Sequence, residues 1–180
     1  MEDSRIVYYT FSDNLLKESC KNPAVINRAK LVHSLISSYK LLRFMNILPS
    51  KKCKYSEIRN FHSDDYCKIL KDSGQLYDED NEYANDEFGL GYDCPIWPEL
   101  YDYVCEIAGS TLTSCRQLLQ QDSADNSIVI NWFGGWHHSQ RDKAAGYCYI
   151  NDIVLGILEL RSKYQRILYI DLDIHHGKTI

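Results

Sequence analysis

The chain has 180 residues, 44% of them hydrophobic, and a formal net charge of −5, which excludes an intrinsically disordered protein and allows one domain with a buried core. No apolar run is long enough to cross a bilayer, and the first residues lack a secretory signal, so we expect no membrane partner. The seven scattered cysteines are therefore expected to be reduced thiols, mostly buried, of a protein in the cytosol or nucleus.

Hydrophobic periodicity predicts strands and helices that alternate along the chain. Short runs rich in β-branched and aromatic residues predict strands at 5–9, 127–132 and 166–173. Apolar residues at helical spacing predict helices at 28–45, at 63–70, after Pro98 and at 151–164. Strands joined by helices require crossover connections, so we predict an α/β fold with a parallel sheet flanked by helices.

The interval between Lys71 and Arg116 contains eleven carboxylates and no basic residue. Its first part, 72–95, is predicted to be a long loop. One interpretation is a solvated loop and helix face, and the other is an acidic surface that attracts a basic partner. Such a surface would repel phosphate groups, so we expect no direct binding to nucleic acid.

The strand predicted at 166–173 ends in an alternating pattern of polar residues. Asp171, Asp173 and His175 would point to one side, whereas Leu172 and Ile174 would point to the other. Three ionisable groups on one face are costly to bury unless a cation compensates their charge, and Asp oxygen with His nitrogen is a usual zinc-ligand pair. The alternative is that the strand emerges into solvent and these residues begin a loop.

A second polar segment, 131–152, follows the preceding predicted strand. It contains Gly134 and Gly135, which suit a tight backbone, and the adjacent histidines His137 and His138. Histidines titrate near neutral pH, so this pair is a candidate for proton transfer, although two structural histidines in a loop would give the same pattern. In a doubly wound sheet, the ends of both strands would converge on a single crevice.

Three segments resemble the signature sequences of the zinc-dependent class I histone deacetylases. They are "FGLGYDCP" (88–95), "NWFGGWHHSQRDKAAGYCYIND" (131–152) and "ILYIDLDIHHG" (167–177), with milder matches at 27–36 and 61–66. The resemblance implies an arginase/deacetylase-like fold with an eight-stranded parallel sheet. It also implies zinc-dependent hydrolysis of N6-acetyl-lysine in histones and other proteins, by a chromatin regulator of nucleus and cytoplasm that represses transcription.

The resemblance assigns roles to residues at the two strand ends. Asp173 and His175 match two of the three zinc ligands, and Asp171 matches the carboxylate that orients His137. His138 matches the histidine that acts as general base and acid. Oxygens of Asp171 and Asp173, with the carbonyl of His175, match a structural potassium site, so zinc and potassium are the implied cofactors.

Other matches concern the substrate. Gly146 and Tyr147 match the backbone and the aromatic wall of the acetyl-lysine tunnel. Asp93 matches the rim carboxylate that holds the substrate backbone, and Arg28 matches an arginine that lines an internal cavity behind the metal. The implied partners are acetylated histone tails or other acetyl-lysine proteins.

The resemblance ends at Gly177. Lys178 stands where the family has an aspartate that partners His138, and the third zinc ligand and the carbonyl-polarising tyrosine have no counterpart in this sequence. We therefore expect residues 1–180 to be the N-terminal part of a single, truncated deacetylase domain with little activity alone. Two alternatives are a catalytically inactive partial isoform that acts as a binding or regulatory protein, and an incomplete gene model.

Overall fold

The computed structural model describes residues 5–78, 84–120 and 127–176 of the chain. The expectations that concern Gly177 and Lys178 lie outside these residues, as does part of the acidic segment.

Within the described residues, three strands form a small parallel sheet in the order β2–β1–β3, namely β1 (Ile6–Phe11), β2 (Asn46–Pro49) and β3 (Ser127–Ile130). β1 lies in the centre, where Tyr8 is aligned with Asn46 on one side and with Val129 on the other. Both pairs are parallel, so the chain returns through helices between strands. The predicted α/β fold with a parallel sheet flanked by helices is confirmed.

The same residues contain six α-helices, namely α1 (Asp13–Ser19), α2 (Arg28–Ser38), α3 (Tyr55–Ile58), α4 (Asp64–Leu76), α5 (Leu100–Leu119) and α6 (Asp152–Leu160). Side chains define the start of two of the predicted helices. The Ser63 hydroxyl accepts a hydrogen bond from the Tyr66 N–H at the start of α4, and the Asn151 side chain accepts one from the Val154 N–H at the start of α6.

The helix predicted at 28–45 is shorter in the structure. α2 ends at Ser38, since Lys40 adopts the left-handed backbone conformation with a φ of 57°, and a 3₁₀ turn over Leu41–Phe44 follows. The chain then enters β2, which the periodicity did not predict. Leu42 and Met45 continue the helical spacing, so the sequence predicted a longer helix and gave no sign of β2, which has only four residues.

Helix α5 occupies the centre of the hydrophobic core. Leu100, Val104, Ile107 and Ala108 recur at helical spacing and are fully buried. The helix packs against α1, α4 and α6 and against the sheet. Because burying each large side chain stabilises the fold by about 1.5–3 kcal/mol, α5 firmly fixes α6 and the loop that precedes α6.

The prediction of a strand at 166–173 is wrong. Segment 166–173 pairs with no strand in the described part of the chain. A cavity of about 370 Å³ is lined by Val129 on β3, by α6 and by Ile167 and Leu168 of this segment. A ladder needs strands about 4.8 Å apart, so the apolar sequence alone does not make this segment a strand.

The acidic segment 72–95 is partly helical, because α4 extends to Leu76. Residues 84–95 form an irregular loop that is closed by two isolated bridges, Asn85–Leu90 and Gly91–Cys94. All seven cysteines are free thiols. Among the described helices, none combines the length and apolarity that crossing a membrane requires.

Candidate active site

Two irregular segments meet beyond the end of β3. The first segment, 131–151, follows β3 and carries both adjacent histidines. The second segment, 166–176, carries Asp171, Asp173 and His175. His137 Nδ1 lies 2.6 Å from Asp171 Oδ2, and the rings of His137 and His138 are 4.1 Å apart between centroids. The His138 and His175 rings are 6.0 Å apart. The expected convergence on one crevice is therefore present, although segment 166–173 forms no strand.

Hydrogen bonds within the second segment hold its polar residues in a turn. The Asp173 N–H donates to Asp171 Oδ1 at 2.9 Å, and the His175 N–H donates to Asp173 Oδ1 at 2.8 Å. The Tyr169 hydroxyl donates to Asp171 Oδ2 at 2.7 Å. The alternation of polar and apolar sides stays a prediction, because residues 171–176 are all exposed and Leu172 is 93% exposed.

Asp173 and His175 carry the kinds of atom that bind a metal cation, but two side chains are too few to hold one. His175 Nδ1 lies 2.8 Å from Asp173 Oδ1, and His137 Nε2 lies 3.9 Å from the same oxygen. Within the described residues, no group of three or more His, Cys, Asp or Glu side chains is arranged to hold a metal ion. A catalytic zinc requires three protein ligands, so these residues do not complete a zinc site. The zinc and potassium assignments stay predictions.

Hydrogen bonding and burial shift the pKa values at this site. The pKa of Asp171 is held well below its usual range, because His137 and Tyr169 both donate to the carboxylate. The backbone N–H and ring of His175 lower the pKa of Asp173 in the same way. Burial, together with the nearby rings of His137 and His175, lowers the pKa of His138. Two carboxylates are therefore ionised beside a neutral His138 at neutral pH.

Gly146 brings the rim of the site close to His138. Its φ is +53°, and a Cβ at this position would lie 2.8 Å from His138 Cδ2. The Gly146 N–H donates to Asp93 Oδ2 at 3.0 Å, which ties segment 84–95 to this turn. Tyr147 also has a positive φ, 63°, and its side chain is about half exposed.

A cavity of about 270 Å³ lies between these residues and α2. Its lining includes Arg28, both adjacent histidines, Gly146, Tyr147, Asp173 and His175. The Arg28 guanidinium lies 5.2 Å from the centre of the Trp136 ring, in a cation–π arrangement. Two predicted residues do not line the cavity, since Asp93 contacts it only through Gly146 and Asp171 lies behind His137.

Sequence reasoning assigned no role to Asp152, which shapes the loop that carries the histidines. This buried carboxylate accepts hydrogen bonds from the Trp136 N–H at 2.8 Å, from the Gly135 N–H at 3.0 Å and from the Thr111 hydroxyl at 2.6 Å. Burial raises the pKa of Asp152 despite these three donors. A usable signal was its position in the first turn of an apolar helix, where carboxylates are favoured.

Asn151 and His62 were missed in the same way. The Asn151 amide donates to the carbonyl of Ser139 at 2.9 Å, and the Asn151 N–H donates to His62 Nε2 at 3.1 Å. His62 Nδ1 lies 3.1 Å from the carbonyl of Arg141, and burial lowers the pKa of His62 to about 4. His62 was part of a milder sequence match, but nothing in that pattern distinguishes a positioning histidine from any other.

Comparison with known proteins identifies the family. The histone deacetylase domain matches residues 22–180. The chain is 43% identical to Histone deacetylase 8 of Danio rerio over 177 residues, which cover 98% of this chain and 46% of that protein. It is 44% identical to Histone deacetylase 8 of Xenopus tropicalis over 182 residues, which cover 100% of this chain and 48% of that protein.

Identity to a second kind of deacetylase is lower. Over 161 residues, the chain is 39% identical to Histone deacetylase 1 of Homo sapiens, with 88% of this chain and 32% of that protein covered. The chain spans about half the length of the Histone deacetylase 8 relatives that it matches. It belongs to the class I histone deacetylases, a family of hydrolases.

Proposed function

We propose that this chain supplies the proton-transfer groups and two metal ligands of an active site that hydrolyses N6-acetyl-lysine in histones and other proteins. The observation that carries this proposal is the meeting of His137, His138, Asp173 and His175 at one cavity, with Asp171 directly behind His137. The family membership of the chain supports the same reaction.

In the proposed reaction His138 moves the protons. A neutral imidazole accepts a proton from the attacking water and then donates it to the departing lysine amine, so that acetate and free lysine result. The lowered pKa of His138 supports a neutral ring at physiological pH. A proton on Nδ1 of His137 would be held by Asp171, which leaves Nε2 of the same ring facing Asp173.

The proposed metal ligands are Asp173 and His175. A zinc ion bound here would polarise the acetyl carbonyl and activate water. Because the described residues provide two of the three protein ligands that such an ion requires, we propose that this chain has little activity alone. Asp171, Asp173 and the carbonyl of His175 are the proposed potassium ligands.

The proposed substrate contacts surround the same cavity. Gly146 and Tyr147 would line the path of the lysine stem, since an aromatic ring beside a flat backbone turn suits a chain of methylene groups. Asp93 would hold the backbone of the substrate at the rim, and Arg28, which lines the cavity, would lie towards its inner end. The proposed partners are acetylated histone tails and other acetyl-lysine proteins in nucleus and cytoplasm, where the protein would act as a chromatin regulator.

A chimera tests the proposal. Residues 1–176 of this chain would replace the matching part of the Danio rerio relative, and hydrolysis of an acetyl-lysine peptide with zinc would be measured. We expect turnover by the chimera, a loss of about 10²–10⁴-fold in kcat for His138→Ala, and a loss of about 10–100-fold in kcat/KM for Asp171→Asn. His33→Ala, on α2 and outside the cavity, is the matched control and should retain turnover.

Two results would contradict the proposal. A chimera that folds, by circular dichroism and size-exclusion chromatography, but hydrolyses no peptide would refute the assigned roles. The isolated 180-residue chain would be assayed in parallel, and turnover equal to that of the chimera would refute the proposed low activity alone.

A second candidate function is a non-catalytic binding role, which one surface favours. Leu31 and Leu35 on α2 and Tyr39 directly after its end follow helical spacing, and each is more than half exposed. Pull-down from cell extract would compare the chain with a variant in which all three residues are serine. A binding role requires that some proteins are retained by the original chain and not by the variant. If both chains retain the same proteins, the binding role is contradicted.

A further inference from the structure

Two cysteines that are far apart in sequence lie side by side in the structure. Cys53 follows β2, and Cys105 lies in the second turn of α5. The Cys53 N–H donates to the carbonyl of Cys105 at 3.0 Å, and the two thiols are close enough for each to shift the pKa of the other. Both residues are buried, with 7% of Cys53 and 2% of Cys105 exposed.

Close packing of the backbone holds the pair together. Gly109 lies one turn after Cys105 on α5, and a Cβ on Gly109 would lie 2.1 Å from the carbonyl oxygen of Lys51 and 2.6 Å from the Cys53 nitrogen. The Lys51 N–H also donates to the Thr113 hydroxyl at 3.2 Å. The segment after β2 is therefore seated directly on α5, so both cysteines are placed by backbone contacts.

The backbone contact also limits the distance between the two Cα atoms. With an N···O distance of 3.0 Å and standard bond lengths, the Cα atoms of Cys53 and Cys105 are at most about 7 Å apart. Disulfides usually span 4.4–6.8 Å between Cα atoms, so the upper limit for this pair lies at the edge of the range that a disulfide can bridge.

The surroundings favour reaction at one of the two thiols. The Cys53 thiol, the Tyr101 hydroxyl and the Lys52 cation lower the pKa of Cys105 although burial opposes this shift, whereas the neighbouring Cys105 thiol and burial raise the pKa of Cys53. The two thiols therefore titrate as a coupled pair, and the side chains of Lys52 and Tyr101 stabilise a negative charge on Cys105. A cysteine with a lowered pKa next to a second thiol is one feature of redox-sensitive sites.

We propose that Cys53 and Cys105 form a dithiol site that a peroxide oxidises to a disulfide between the segment after β2 and α5. The Cys105 thiolate attacks one peroxide oxygen, the O–O bond breaks, and hydroxide leaves, so that Cys105 becomes a sulfenic acid. The Cys53 sulfur then attacks the Cys105 sulfur, the S–O bond breaks, and a second hydroxide leaves. The two thiol protons convert both hydroxides to water, and hydrogen peroxide is reduced by two electrons.

Peptide mapping of the purified 180-residue chain tests this site. The chain would be fully reduced, freed of reductant and titrated with hydrogen peroxide, then unfolded, alkylated, digested and examined by mass spectrometry. We expect a linked pair of peptides that contain Cys53 and Cys105, with two hydrogens fewer than the reduced pair. The link should disappear after treatment with dithiothreitol and should not form in Cys53→Ser. It should still form in Cys115→Ser, because Cys115 is a buried cysteine on α5 and no other thiol contributes to its pKa.

A second neighbouring pair, Cys94 and Cys148, requires its own control. In the double variant Cys94→Ser with Cys148→Ser, the link between Cys53 and Cys105 should form at the same peroxide concentration. Full alkylation of Cys53 and Cys105 in the original chain, with oxidation confined to other cysteines, would overturn the proposal. The peptide map of the original chain needs no variant, so it decides the matter even where a serine variant fails to fold.

Discussion

His62 lies away from the candidate active-site cavity, yet it helps to hold the loop that carries the two adjacent histidines. Its Nε2 accepts a hydrogen bond from the Asn151 N–H, so its Nδ1 carries the proton that is donated to the carbonyl of Arg141. This arrangement requires a neutral ring, and burial lowers the pKa of His62 to about 4. One buried histidine therefore joins the start of α6 to the loop by two directed contacts.

The His62 contacts predict a pH-dependent stability. An unfolded histidine has a pKa near 6.5, so above that pH both states are neutral and the contribution of His62 is fully present. As the pH falls from 6.5 towards 4, the unfolded chain binds a proton that the folded chain does not, and up to about 3 kcal/mol of unfolding free energy is lost.

Urea unfolding of the original chain and of His62→Gln between pH 7.5 and 4.5 would measure this loss. Glutamine does not titrate, so the stability advantage of the original chain should shrink as the pH falls. Parallel curves for the two proteins would show that another group is responsible.

Gly146 gives a second prediction at the scale of one residue. Gly146→Ala adds a Cβ at a φ of +53° and within 2.8 Å of the His138 ring, so it should cost about 1–3 kcal/mol of unfolding free energy and displace that ring. Gly135→Ala is the matched control, because Gly135 also has a positive φ but has open space around its Cβ position. Chemical denaturation and the histidine NMR signals of both variants would be compared, and equal effects on His138 would contradict the steric argument.

Among the helices and strands, some were predictable from sequence and others depended on tertiary contacts. α5 was predictable because a 20-residue helix with one apolar face leaves a clear periodic pattern. β2 was not, since four residues are too few for a period and only pairing with β1 makes them a strand. Segment 166–173 shows the reverse case, because its strand-like sequence pairs with none of the strands that the structure describes.

Candidate site residues were predictable for a different reason. The histidines and carboxylates lie in specific motifs, so the resemblance made them candidates, and the structure brings several of them together at one cavity. Asn151, Asp152 and His62 act through hydrogen bonds that join distant parts of the chain, and no spacing in the sequence marks such contacts.

Arg116 connects three helices and gives a prediction at the scale of elements. From α5 it donates to Glu57 on α3 at 2.6 Å and to Glu159 on α6 at 2.8 Å. Arg116→Met should cost about 1 kcal/mol of unfolding free energy, a modest value because the arginine side chain is 41% exposed and partly screened by water. Lys52→Met, which removes a more exposed pair with Asp102, should cost less. Thermal and urea unfolding would measure both, and an equal or larger loss for Lys52→Met would contradict this ranking.

Taken as a whole, the molecule exposes an apolar stripe on the segment that carries the candidate metal ligands. Leu168, Ile170, Leu172 and Ile174 alternate along it and are 68–93% exposed. A segment outside the sheet that exposes several apolar side chains is a site for association between molecules.

We predict that the isolated chain self-associates through this stripe. Ile170→Lys with Leu172→Lys should lower the weight-average mass at micromolar concentrations, because charge opposes edge-to-edge pairing. Tyr92→Lys, which removes an equally exposed side chain elsewhere, is the control. Sedimentation velocity would measure the effect, and unchanged association in the double variant would contradict the prediction.

The central position of β1 has a consequence for synthesis on the ribosome. β1 is translated first, but its partner β3 is added about 120 residues later. At roughly 5–20 residues per second, the nascent chain waits about 6–24 s before the sheet can close. During that interval the edge of β1 that β3 will occupy is unpaired, so we expect chaperone binding to protect the nascent chain until β3 has been synthesised.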